Sequence, residues 1–144
     1  MAKYAQGFYE VKNPQKYIGN GKPKYRSGWE LTFMMFCDNN EKIINWASES
    51  IRIPYKNPLT GKQTIYVPDF FVVYQNKFGK VLAELVEIKP KKQTIIQEKI
   101  TSARDKLAII VNHAKWQAAQ AWCKNKGIVF RVINEDQIFI NGRK

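Results

Sequence analysis

The chain has 144 residues, 44% of them apolar and 13% aromatic, which is enough to bury one core without staples and too apolar for a disordered chain. Twenty-four Lys and Arg against 12 Asp and Glu give a formal charge of +12, more than solubility needs, and make a polyanion the natural partner, nucleic acid being the commonest. Only Cys37, Cys123 and a single histidine, His113, are present, which argues against a zinc centre and against nucleases that depend on several histidines.

In chain order, residues 1–26 mix Lys3, Lys12, Lys16, Lys22, Lys24 and Arg26 with Tyr4, Phe8, Tyr9, Tyr17 and Tyr25. This composition suits a basic arm whose cations track phosphates and whose aromatics stack on bases or on the protein body, and equally a partly ordered tail. Ser27-x-x-Glu30 then reads as a capping box, the glutamate reaching back to the Ser27 N–H, and opens a helix over 27–38 with Trp29, Phe33, Phe36 and Cys37 at helical spacing. Ile43 to Tyr55 alternates as one strand, followed by the turn Asn57-Pro58-Leu59-Thr60-Gly61. Strands over 64–74 and 80–89 form a hairpin about Asn76-Lys77-Phe78-Gly79. A helix over 93–109, with Ile96, Ile100, Ala103 and Leu107 on one face, precedes a second over 112–126. The second turns Trp116, Ala119, Gln120 and Cys123 inward and is closed by Gly127. Residues 128–133 make a short buried strand, and the last eleven offer one more helix or turn. Nothing divides this order into two domains, so residues 1–144 read as one. No signal segment or run of about eighteen apolar residues is visible, so the chain reads as intracellular and not membrane-bound.

One stretch has the spacing of chemistry. Ile65-Tyr66-Val67 leads into Pro68-Asp69 on the first strand of the hairpin, and the run Val81 to Val86 leads into Glu87-Ile88-Lys89 on the second. Side chains two apart on a strand leave the same face, so Glu87 and Lys89 are neighbours, and a suitable register brings Asp69 to them. Two carboxylates suit Mg²⁺ or Mn²⁺, which bind through one or two such oxygens and keep the rest for water and phosphate. The lysine supplies a phosphate-orienting or proton-handling group. This pattern resembles the PD-(D/E)xK nucleases. Arg26-Ser27-Gly28-Trp29-Glu30 upstream resembles the phage endonuclease I type junction resolvases, which makes Glu30 a candidate fourth site residue as well as a cap.

Helix, three strands, helices and strand is the order of the restriction-endonuclease-like fold, an α/β core with a central mixed sheet of about four strands flanked by helices. Four further blocks are similar to the head completion nucleases of T-even-like tailed phages: Tyr25-Arg26-Ser27 with Trp29-Glu30; Trp46-Ala47-Ser48-Glu49 with Ile53-Pro54-Tyr55; Glu87 to Lys92; and Lys115-Trp116 with Ala118-Ala119-Gln120 and Gly127-Ile128 with Phe130-Arg131. The resemblance implies a metal-dependent DNA endonuclease acting in the host cytoplasm or in the virion, with phage head or portal proteins as further candidate partners. Under it Asp69, Glu87 and the Ile88 carbonyl hold Mg²⁺, with Mn²⁺ able to substitute, and Glu30 binds directly or through water. Lys89 orients or deprotonates the attacking water. Lys24, Arg26, Lys91 and Lys92 contact DNA largely independently of sequence. Two other readings stand beside this one. The first is a non-catalytic DNA-binding head or neck protein with a nuclease fold. The second is a Holliday junction resolvase, which would have to be a dimer.

Overall fold

The structure, a computed structural model, describes residues 6–90, 103–134 and 136–137. Eight strands and two helices follow in the order β1 (Gly7–Phe8), β2 (Lys24–Tyr25), α1 (Gly28–Asn39), β3 (Ile43–Ser48), β4 (Ile53–Lys56), β5 (Gln63–Tyr66), β6 (Phe70–Gln75), β7 (Val81–Ile88), α2 (Ala103–Lys126) and β8 (Val129–Ile133). The central sheet runs β3-β6-β7-β8 and is mixed, because β8 joins β7 in parallel while the other pairings are antiparallel. The fold is thus the expected four-stranded mixed sheet between helices. No helix among the described residues is long and apolar enough to cross a membrane.

Strand alternation sorts the core into two layers. On one face Trp46, Phe70, Val72, Val86, Ile88 and Ile133 meet Phe33, Met34 and Cys37 of α1. On the other, Leu85 joins Ala119 and Cys123 of α2 and Ile53, Tyr55 and Tyr66 of the β4–β5 pair, with Phe71 and Phe130 packed against them. Residue 87 therefore leaves the sheet on the α2 side. α1 begins where expected: the Ser27 backbone is extended and its hydroxyl accepts the Glu30 N–H at 3.2 Å. Gly127 closes α2 with φ +71, and the Ile128 N–H bonds the Cys123 carbonyl at 2.9 Å.

Four expectations need correction. The strand over 43–55 is two strands, because Glu49 takes a left-handed φ of +50 and turns the chain out of the main sheet. The strand over 64–74 is likewise broken by residues 67–69, which hold the buried Pro68 and its missing N–H donor. The segments cut off by these breaks, β4 and β5, pair only with each other and cover α2. The two late helices are one along the described part. Ile109, Asn112, Ala119 and Cys123 form one inward stripe through the supposed break, while Leu107 and Gln120 are exposed. Residues 93–102 of the expected first helix lie outside the described residues.

The N-terminal segment is not a free arm over its described part. Asp38, fully buried, accepts the Tyr9 hydroxyl at 2.7 Å, the Lys12 N–H at 2.7 Å and the Asn13 N–H at 3.0 Å. The Lys16 ammonium bonds the Asp38 carbonyl at 2.9 Å. Lys16 and Ile18 exchange backbone bonds with Trp46 of 3.0 and 2.9 Å along the outer edge of β3, and the Tyr17 ring lies edge-on to Trp46 at 4.6 Å. An otherwise open sheet edge is thereby covered.

Candidate active site

The site lies where β6 begins and β7 ends, on the α2 face of the sheet. Phe70 pairs with Val86, so Asp69, one residue before β6, stands beside the end of β7, and its Oδ2 accepts the Ile88 N–H at 2.8 Å. Its own carbonyl accepts the Glu49 N–H at 2.9 Å, so the left-handed turn at Glu49 anchors the start of β6. Glu87 is 5% exposed. Its Oε1 accepts the Tyr66 hydroxyl at 2.8 Å, and its Oε2 lies 3.6 Å from the Lys89 ammonium. Asp69, Glu87 and Lys89 are thus brought together, as their spacing requires.

Glu30 reaches the same region from the first turn of α1. It is the expected cap with one alteration: its Oε1 accepts the Arg26 N–H at 3.1 Å, in place of the Ser27 N–H. Arg26 itself is exposed, and its guanidinium grips Glu49 through two bonds of 3.0 and 3.2 Å. The proposed phosphate contact is therefore engaged by an acid in this structure. Lys24 is half-buried in β2. Lys91 and Lys92 lie outside the described residues.

The electrostatics show what the three carboxylates lack. Burial pushes Asp69 well above the usual carboxylate range, and the charges of Glu87 and Glu30 add to it; the Ile88 N–H and Lys89 oppose them. Burial also raises Glu87, against the pull of Lys89, Tyr66 and Lys115. Glu30 is raised by burial and by Glu49 and Glu87, with Arg26 opposing. Among the described residues no three carboxylate, histidine or cysteine side chains converge closely enough to enclose an ion. Each site carboxylate instead turns to a protein donor. Even so, three oxygen-donor groups made reluctant to ionise by burial, two of them also by the charge of Glu87, with Lys89 their only ion-pair partner among the described residues, fit the chemistry of a hard divalent cation.

Two residues here escaped the sequence reading. Tyr66, at the end of β5, orients Glu87, and nothing in an alternating strand marks that tyrosine as different from a core one. Lys115, half-buried on α2, holds its ammonium 5.7 Å from the Tyr66 ring centroid. It falls four and eight residues before Ala119 and Cys123, on the inward stripe, and that periodicity was a usable signal.

Residues 40–135 match the family model described as TnsA-like endonuclease N terminal. The chain is also 36% identical over 148 residues to the head completion nuclease of Enterobacteria phage T4, the match covering 96% of each protein. No solved structure matches.

Proposed function

Since the chain belongs to the TnsA-like endonuclease N-terminal family and to that of the phage head completion nucleases, we propose that it is a divalent-metal-dependent endodeoxyribonuclease acting on phage DNA during head completion, after packaging. The observation that carries this reading is the trio of the buried Glu87 with the half-buried Asp69 and Glu30. Burial raises all three, the charge of Glu87 adds to the rise in the other two, and the cation of Lys89, just past β7, stands 3.6 Å from Glu87.

In this reading Asp69 and Glu87 hold the ion, with Glu30 and the Ile88 carbonyl as further ligands. Bound Mg²⁺, or Mn²⁺ in its place, supplies a Lewis acid for the phosphate and lowers the pKa of water. The Ile88 N–H fixes one oxygen of Asp69 and so orients the other. The Tyr66 hydroxyl does the same for Glu87. Lys89, held against the second oxygen of Glu87, positions the attacking water and the phosphate, which is proximity catalysis by a fixed cation. The general positive charge supplies affinity without reading sequence.

The test is incubation of purified protein with linear, branched and single-stranded DNA in Mg²⁺, Mn²⁺, Ca²⁺ or EDTA. Cutting is expected in Mg²⁺ and Mn²⁺, weak cutting in Ca²⁺ and none in EDTA. Undiminished cutting in EDTA contradicts the mechanism, and strict selectivity for four-way junctions would favour a resolvase.

A further inference from the structure

Lys115 is an unusual place for an ammonium. It is half-buried, its ammonium lies 5.7 Å from the centroid of the Tyr66 ring, and among the described residues no carboxylate lies within ion-pair distance of it. Lys89 is close enough to disfavour its charge, as burial also does, while Glu87 favours it only through space. The Tyr66 ring, whose hydroxyl is bonded to Glu87 at 2.8 Å, gives the ammonium only the weaker attraction of an aromatic face. Lys89, just past the end of β7, and Lys115, on α2 against the ring of the tyrosine that bonds Glu87, therefore both stand near one buried acid. Two cations near one acid leave room for a further anion to join them.

Resting on the nuclease reading, we propose that Lys115 is a second phosphate ligand of the active site, gripping with Lys89 the DNA backbone at the cut so that one phosphodiester or two successive ones lie between the two ammoniums. Lys89 belongs to the carboxylate cluster. Lys115, reaching in from α2, stabilises negative charge on phosphoryl oxygens as it grows in the transition state, the role in which a fixed donor contributes most. It also sets how far along the strand the backbone must extend before a bond can be cut. That makes it a substrate-contacting residue on a helix whose buried stripe, Ile109, Asn112, Ala119 and Cys123, serves packing.

The experiment uses a set of short duplexes, each carrying one neutral methylphosphonate linkage at a successive position. Wild type, Lys115→Met and Lys115→Arg are compared, with cutting at each bond mapped on sequencing gels under single-turnover conditions. Lys115→Met should lose roughly ten- to a hundredfold in rate at saturating DNA with little change in melting temperature, and Lys115→Arg should recover part of the loss. In wild type a neutral linkage should suppress cutting at one fixed offset from it, and in Lys115→Met that suppression should disappear at that offset alone. Equal suppression at every offset in both proteins overturns the proposal, as does a wild-type rate in Lys115→Met. The same duplexes are also read by equilibrium binding in EDTA. A single-position penalty that is absent in Lys115→Met supports the phosphate contact even if no protein cuts, an outcome that overturns the nuclease reading alone. Identical binding profiles for the two proteins reject the contact itself.

Discussion

Asp38, buried at the end of α1, and Asp69, half-buried just before β6, are opposites. Asp38 is fully buried and surrounded by donors: Tyr9, Lys12 and Asn13 all bond its carboxylate, and these bonds hold it below the usual range despite its burial. Asp69 accepts the Ile88 N–H and has two acids near it, and burial with those acids drives it upward. Asp38 has a completed shell and holds the N-terminal segment to the core. Asp69 and its neighbours carry a charge deficit that the described protein does not fill, which is how a binding site differs from a structural one.

The largest effects should separate the two regions by kind. Asp69→Asn and Glu87→Gln should each lower cleavage by at least about a thousandfold while leaving DNA affinity near wild type, since the basic surface provides most of the binding. Asp38→Ala should leave three donors without their acceptor and destabilise the fold by about 3 kcal/mol, measured by denaturant melts, with activity following the folded fraction. Full activity in Asp69→Asn would erase the distinction. Glu30→Gln sharpens it, because glutamine can accept the Arg26 N–H but carries no charge. A melting temperature near wild type with cleavage lost places Glu30 in the site, whereas full cleavage returns it to the helix cap.

A subtler contrast lies in pH. The site carboxylates have folded pKa values above their unfolded ones of 3.8 and 4.5, so their stabilising contribution is complete below pH 4 and is lost as pH rises through the raised values. Asp38 behaves inversely: its contribution is present above its unfolded value and lost as pH falls through its lowered one. Melting temperatures in EDTA should therefore decline from mildly acidic to alkaline pH, and Asp69→Asn should flatten the decline. Mg²⁺ should stabilise more at pH 8 than at pH 5, because it needs the ionised carboxylates. The smallest effect is expected from Tyr66→Phe, which removes one hydrogen bond to Glu87. It should cost about 1 kcal/mol of stability and lower kcat several-fold without changing DNA affinity.

Much of this was legible before the fold was seen. The capping box located α1, and alternation with a Gly79 turn located the β6–β7 hairpin that aligns Asp69 with Glu87 and Lys89. What was illegible depends on contacts far apart in sequence. A left-handed Glu49 has no compositional mark, so the departure of β4 and β5 from the sheet could not be read, nor could the closeness of Tyr66 to Glu87 that follows from it. The packing of residues 6–26 rests on Asp38, which in sequence is one more polar residue at a helix end. Lysines and tyrosines of that segment therefore read as a nucleic-acid arm when Tyr9 and Tyr17 are parts of the core. Deleting residues 1–24 should accordingly lower the melting temperature instead of merely weakening DNA binding.

The most direct test of the carboxylate deficit as a metal site is calorimetric titration of Mn²⁺ into the DNA-free protein at pH 8, comparing wild type with Asp69→Asn and with Asp38→Asn. The expected result is saturable binding to wild type and to the folded Asp38→Asn protein, with that binding abolished or weakened at least about tenfold in Asp69→Asn. Equal Mn²⁺ binding by wild type and Asp69→Asn, or none by a wild-type protein that still cuts DNA, would contradict it.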